Sequence, residues 1–199
     1  STNKHKYKLL LMNFKRTELT SMMLHTKLAE HKELKPQLLE LQKDAPGENC
    51  KLDDDYYKDN ISWTDWPYSG DLERPWVKLF MKYFTPYWGE AARELGFAKM
   101  QVFKVWFQRY SKGGWHNWHT HGSNYTGVYY LNQPEGSAAT EFVDMNSLKE
   151  TWFYEAEEGD VIFFPCHMIH RGCMQKAEEE KTIISWNLDF QTIRKDVLY

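Results

Sequence analysis

The chain has 199 residues, of which 42% are apolar and 16% aromatic, enough for one sizeable core and one domain. A net charge of −3 supplies no basic field for nucleic acid or an anionic membrane surface, and no apolar run reaches the length of a membrane span. Three cysteines (Cys50, Cys166 and Cys173) are an odd number without metal-ligand spacing, and no charged-then-apolar leader opens the sequence. A reducing, cytoplasmic setting is therefore expected, the host cytoplasm if the source is viral.

Along the chain, the first hundred residues read as mainly helical. Leu10 to Leu19 is short and ambiguous, and the stretch from Leu19 to Glu30 has apolar residues at helical spacing. A second helical piece, Leu34 to Leu41, begins around Pro36 and ends before Ala45-Pro46-Gly47. Residues 45–75 are rich in Asp, Gly, Pro and Asn but carry Trp63, Trp66 and Tyr68. They predict an ordered loop region, since linkers rarely hold so many large aromatics. Pro75 opens a helix running through Phe84, and a further helix is predicted around Trp88 to Leu95.

From Met100 the apolar period becomes two. Val102, Lys104, Trp106 and Gln108 alternate with Phe103, Val105, Phe107 and Arg109, as a strand requires. Further strands are predicted over Ser123–Leu131, Ala139–Val143, Thr151–Glu155, Asp160–Phe164 and Lys181–Phe190, divided by turns bearing Gly, Pro and Asn. A helical half followed by many short strands gives an α+β fold, a β-sandwich or barrel braced by helices on one face. One domain is expected over 1–199, with a helical part and aromatic loops at 1–99 and a strand core at 100–190.

Five of the 8 histidines (His116, His119, His121, His167 and His170) fall in this core. His119 and His121, at i and i+2 of an extended segment, point to one side of it. His170, following Gly159-Asp-Val-Ile-Phe-Phe-Pro165, can bring a third imidazole. Neutral imidazoles suit iron, zinc and copper, and three protein ligands leave positions open for chemistry. His167 is the rival third ligand, directly beyond the Pro165 turn. His116 is expected to face the opposite side as a satisfied or surface histidine, or a substrate contact. Cys166 and Cys173 bracket His170 and read as small packing residues.

With their neighbours these histidines form a longer pattern. Tyr110-Ser-Lys-Gly113 precedes them, and Thr126-Gly-Val-Tyr-Tyr130-Leu-Asn132 and Lys181-Thr-Ile-Ile-Ser-Trp-Asn187 follow. In this order the motifs resemble the Fe(II)- and 2-oxoglutarate-dependent oxygenases, closest to the prolyl-hydroxylase-like branch with its bacterial and phage relatives. The resemblance implies a double-stranded β-helix, the jelly-roll or cupin-like barrel, with Fe(II), 2-oxoglutarate and O2 as its requirements. It implies His119, His121 and His170 as metal ligands and catalytic centre. Tyr130, Thr126, Lys181 and Ser185 would bind 2-oxoglutarate, with Lys181, Tyr130 and Ser185 at its distal carboxylate. Strand parity agrees: Thr126, Val128 and Tyr130 share one face, and Lys181, Ile183, Ser185 and Asn187 share another. Alone, Lys181 would read as a solvated lysine closing the acidic run Glu178–Glu180. The implied reaction hydroxylates a C–H bond of a peptidyl residue or small molecule, releasing succinate and CO2. Trp115, Trp118 and Tyr125 would line the mouth.

One departure stands out. Such oxygenases mostly use two histidines and a carboxylate, and His121 occupies the carboxylate position. His121 binds the metal directly, or Glu141 swings in as the anion, or His119 and His170 bind alone; direct ligation is the favoured reading. Two other classes compete. A cupin-type metal dioxygenase or isomerase normally places a Glu soon after its histidine pair, whereas the first here is Glu135. The other is a non-catalytic barrel whose metal is structural or lost.

Overall fold

The computed structural model describes residues 17–18, 20–51 and 59–198; most of the ambiguous Leu10–Leu19 stretch lies outside them. Leu24–Lys27 forms strand β1 rather than part of the helix expected from apolar spacing. It pairs antiparallel with a later strand, from Leu24 opposite Phe163 to Lys27 opposite Asp160. The backbone partner decides this element, and such a partner leaves no local periodicity: three of the four residues are exposed.

Helix α1, His31–Leu41, starts ahead of Pro36 and buries Leu34 and Leu38. The aromatic loop region contributes two short strands, β2 (Glu48–Cys50) and β3 (Ile61–Thr64), and a 3-10 turn at Trp66–Tyr68. Helix α2 is continuous over Pro75–Glu94, where two helices were expected. Pro86 lies on its exposed side, where solvent can take the hydrogen bond that proline cannot donate. The opposite side buries Trp76, Val77, Phe80, Phe84, Trp88, Ala91 and Ala92, a stripe at helical spacing.

The core strands follow: β4 (Phe97–Tyr110), β5 (His116–His119), β6 (Tyr125–Asn132), β7 (Thr140–Val143), β8 (Thr151–Tyr154), β9 (Asp160–Pro165), β10 (His170–Gly172) and β11 (Lys181–Ile193). Helix α3, Lys195–Leu198, closes the described chain. A seven-stranded sheet has the order β1-β9-β6-β11-β4-β3-β2, and a four-stranded sheet the order β5-β10-β7-β8. From β4 onward the chain crosses repeatedly between the two sheets, and all pairs are antiparallel. This is the double-stranded β-helix, braced by α1 and α2. The N-terminal part is more than a brace, since β1, β2 and β3 lengthen the larger sheet at both edges.

Parity divides the larger sheet into two chemistries. Tyr129, Leu131, Phe163, Ile184, Trp186 and Leu188 pack with Phe80, Phe84 and Trp88 of α2. Val128, Tyr130, Ile162, Phe164 and Ile183 face the smaller sheet. Gly127 serves the helix side: a Cβ there would lie 2.2 Å from the Trp186 ring, so only glycine lets that indole lie against the strand. Buried Asp65 accepts hydrogen bonds from the Phe107 amide and the Trp76 indole, each 2.9 Å, and pairs with Arg74. Burial pushes its carboxyl up to about 6, against the pull of Arg74. This clamp fixes the 3-10 turn, and with it Trp66, beside β4.

Candidate metal centre

Strands β5 and β10 pair with His119 directly opposite His170, so two imidazoles meet across a ladder. His121 lies just past the end of β5, its amide donating to the Cys166 carbonyl at 3.0 Å. The result is a compact group: ligand atoms of His119, His121 and His170 all lie within 4.8 Å of one another. Among the described residues no other His, Cys, Asp and Glu cluster does so. Nδ1 of His119 donates to the Asn117 carbonyl at 2.7 Å, and Nδ1 of His170 to the Met168 carbonyl at 2.9 Å. Those bonds leave the Nε2 lone pairs of both rings facing inward, which is how metal-binding imidazoles are commonly oriented.

The fit to a metal is good. Nε2 of His121 and Nε2 of His170 stand 3.3 Å apart, close to the ~3 Å separating two imidazole nitrogens at right angles on one ion. Burial, then repulsion from neighbouring rings, lowers the affinity of His170 for a proton, and the same causes hold His121 down to about 3. His119 is lowered by burial. All three rings are thus neutral near pH 7, the state that ligates.

The residues expected to hold the cosubstrate are also buried. Tyr130 shares a 2.7 Å hydrogen bond between its hydroxyl and that of Thr140. Lys181 Nζ donates to the Ala138 carbonyl at 2.6 Å and sits 5.4 Å from the Tyr130 ring centroid. Among the described residues no carboxylate lies within ion-pair distance of it, and burial lowers its pKa to about 8. A buried cation of this kind suits an anionic ligand. Ser185, with Thr140, Val128 and Ile183, lines a small interior cavity of ≈ 30 Å³ against the histidines. Thr126 is committed elsewhere, its hydroxyl donating to the Trp186 carbonyl at 2.7 Å.

Glu141 does not join the group. Its carboxylate accepts from Arg171 Nε at 2.6 Å and lies 3.6 Å from Cys173 Sγ. His167 is exposed, whereas His170 is buried. His116 corrects the sequence reading: it stacks on His119 with ring centroids 3.9 Å apart. Its Nδ1 is 3.4 Å from Gln108 Nε2 and its Nε2 is 3.8 Å from Asp59 Oδ2. The short β5 departs from strict alternation, with the Asn117 side chain taking the Trp118 amide at 2.8 Å, and so both rings reach the site. Trp115, Trp118 and Tyr125 line neither of the two larger cavities at the triad. Trp118 lies under the Arg171 guanidinium, and Tyr125 packs on Phe190. Trp66 and Trp106 take their place. Trp106 and Gln108 share the parity of Tyr110 on β4, a signal the sequence held; nothing local marked Asp59.

With this geometry in view, comparison with known proteins gives a consistent class. Residues 104–187 match the family model described as "Putative 2OG-Fe(II) oxygenase", a segment running from β4 to β11 and containing the whole triad. A search of curated protein sequences finds no significant match. Solved structures with the same fold include a 2OG-Fe(II) oxygenase family oxidoreductase from Burkholderia pseudomallei, with a TM-score of 0.67 and 14% identity over 86% of this chain and 87% of that one. A Pseudomonas putida prolyl-4-hydroxylase aligns with a TM-score of 0.59 and 13% identity over 84% and 93%. A Trichoplax adhaerens prolyl hydroxylase, solved with a hypoxia inducible factor peptide fragment, aligns with a TM-score of 0.58 and 16% identity over 82% of each chain. Residues 104–187 thus match the model of an oxidoreductase class that uses Fe(II), 2-oxoglutarate and O2, and the solved structures share this chain's fold. Among the described residues no helix is long and apolar enough to cross a membrane.

Proposed function

We propose that this chain is a single-domain dioxygenase that hydroxylates a peptidyl residue or small molecule, converting 2-oxoglutarate to succinate and CO2. His119, His121 and His170 hold the iron, and Tyr130, Lys181 and Ser185 hold the cosubstrate, with Thr126 forming the wall behind them. The observation that carries the reading is a neutral three-imidazole face beside a buried lysine that has no carboxylate partner among the described residues. Iron bound there with 2-oxoglutarate and O2 supplies the oxidising power for C–H hydroxylation.

The protein's own contribution is placement and exclusion. Lys181 gives the distal carboxylate a charged donor, and Tyr130 adds a neutral one within a dry pocket, where each is worth more than in water. Binding a dianion beside Lys181 favours its protonated form, so cosubstrate and lysine charge stabilise each other. Phe142 and Phe164 pack on His170 at ring-centroid distances of 5.6 and 4.7 Å. They hold that ligand in place and keep water from its far side. Tyr130 stays neutral across the physiological range, its hydroxyl pushed far up by burial.

The test is anaerobic reconstitution with Fe(II) followed by 2-oxoglutarate. A visible metal-to-ligand charge-transfer band is expected. Bound iron with no band would end the oxygenase reading and bring forward a cupin-type enzyme or an inert barrel. The net charge of −3 argues against a nucleic-acid substrate.

A further inference from the structure

The three imidazoles of the triad are not held alike. His119 and His170 each donate Nδ1–H to a backbone carbonyl, that of Asn117 at 2.7 Å and that of Met168 at 2.9 Å. His121 lies beyond the end of β5, and among the described residues no backbone carbonyl accepts from its ring. Its Nε2 is turned to Nε2 of His170, 3.3 Å away. Its ring centroid lies 5.1 Å from that of His170 and 5.8 Å from that of Trp106. Ring packing of this kind fixes the plane of an imidazole but not which edge faces the metal. Asn187 stands beside it. It ends the inward row Lys181, Ile183, Ser185 and Asn187 on β11, is 6% exposed, and is in hydrogen-bonding contact with the His121 ring. Its Oδ1 is shut off from solvent, and no other group among the described residues donates to it. A β-bulge follows directly: the register with β4 passes from Lys104 opposite Asn187 to Val102 opposite Leu188, skipping Phe103. Bulges re-aim side chains beside functional sites, and Phe103, Asn187 and His121 meet on the wall of one cavity of ≈ 510 Å³.

We infer that Asn187 is the positioning residue of the third ligand: its Oδ1 accepts Nδ1–H of His121 and so presents Nε2 to the metal. The inference rests on the metal reading of the triad and deepens it. A neutral imidazole carries one N–H, and ligation through Nε2 puts that proton on Nδ1. In a buried site such an N–H costs stability unless an acceptor meets it, and the orphaned amide oxygen of Asn187 costs stability unless a donor does. Each group removes the other's deficit. The backbone does this work for His119 and His170, and a side chain must do it for His121, which has left the strand ladder. An acceptor on the outer nitrogen also raises the basicity of the ligating one. The amide is matched to an imidazole in this corner, because it accepts without adding charge beside the metal. A carboxylate in the same corner would have no N–H to satisfy, so Asn187 answers the replacement of that carboxylate by His121.

The experiment uses the full chain with Zn(II) as a redox-silent probe. It measures the Zn(II) dissociation constant by chelator competition, and the ring N–H resonances of protein carrying isotope-labelled histidine. The His121 resonance is identified by its loss in His121→Ala. Asn187→Ala and the volume-filling Asn187→Leu are each expected to weaken Zn(II) binding about tenfold. Both should speed exchange of the His121 ring proton with water and leave those of His119 and His170 in place. Asn187→Asp keeps an acceptor oxygen and is expected to bind Zn(II) within about threefold of wild type. A role in packing alone would not be rescued by that change, which buries a charge. In the His121→Ala background, Asn187→Ala is expected to add no further loss. Zn(II) affinity and the His121 resonance untouched by both Ala and Leu, or Asp as weak as Leu, overturns the inference. A full further loss in the His121→Ala background also overturns it and puts Asn187 on the metal itself. The charge-transfer band reports separately on the oxygenase reading: the expected Asn187 pattern without the band removes only that reading, and the band with no response to Asn187 substitution removes only this one.

Discussion

The two faces of the seven-stranded sheet are made from the same strands and do opposite work. On the helix side, Phe80 and Phe84 stack with centroids 4.0 Å apart and pack on Trp88, Tyr129 and Trp186, all fully buried. On the other side, alternate residues of those strands are Thr126, Tyr130, Lys181, Ser185 and Asn187, polar and buried. One face gains stability from apolar area removed from water. The other accepts the cost of buried polar groups to hold a reactive centre. Substitutions on the two faces should therefore separate stability from ligand binding.

The largest separation is expected at His170. His170→Ala should reduce iron in the purified protein to background while the fold, read by circular dichroism, stays intact. Unchanged iron content would remove His170 from the centre. Next in size, Phe84→Ala on the helix face should cost about 3–5 kcal/mol of stability, because the ring is fully enclosed and its cavity cannot collapse. The charge-transfer band should survive below the lowered Tm. A band lost together with stability would mean that the two faces are not independent.

Lys181 lies between these extremes, because it belongs to the binding face yet burdens the fold. Lys181→Ala should weaken 2-oxoglutarate by about 2–5 kcal/mol for a fully buried charge pair; an unaltered dissociation constant would move the cosubstrate elsewhere. The same residue predicts a pH effect. Its folded pKa of about 8 lies below the ordinary 10.5, so below about 8 both states are charged and the burial cost is fully present. Between the two values the unfolded chain holds the extra proton, and stability rises with pH by up to about 3 kcal/mol from this group. Denaturant titrations should show that rise in the cosubstrate-free protein. In Lys181→Met the rise should be smaller by that amount, and an equal rise in both would show that Lys181 does not carry it.

What was legible in the sequence follows the range of each signal. Period-two stretches found the long strands, and helical spacing found α2, although as two pieces, through Phe84 and from Trp88, that the fold joins across Pro86 on the exposed side of the helix. Motif order along 104–187 picked out three histidines that the fold brings within 4.8 Å of one another, and Tyr130 and Lys181, which it buries side by side. Short strands were not legible. β1, β2 and β3 exist through backbone pairing with distant partners, and three or four residues carry no usable period. For the same reason Asp59 and Trp66 gave no hint that they would border the triad. His116 was misplaced because strict alternation was assumed through a four-residue strand that does not keep it.

Glu141 gives the smallest expected effect and the sharpest question about the missing carboxylate. It was the sequence's best alternative to His121, sitting on β7 within reach of the barrel interior. In the fold, Thr140 and Phe142 turn inward, and Glu141 turns to Arg171, which is itself stacked 4.6 Å over Trp118. Joining the metal would mean breaking that pair and rotating a buried side chain, and His121 already fills the third corner. Because the Arg171 side chain is 41% exposed, the pair is partly screened, and Glu141→Gln should cost less than about 1 kcal/mol of stability. Iron content should stay at the wild-type level, and His121→Ala should lower it. The reverse pattern, iron lost in Glu141→Gln and retained in His121→Ala, would restore the two-histidine, one-carboxylate arrangement and leave His121 as a wall of the cavities beside it.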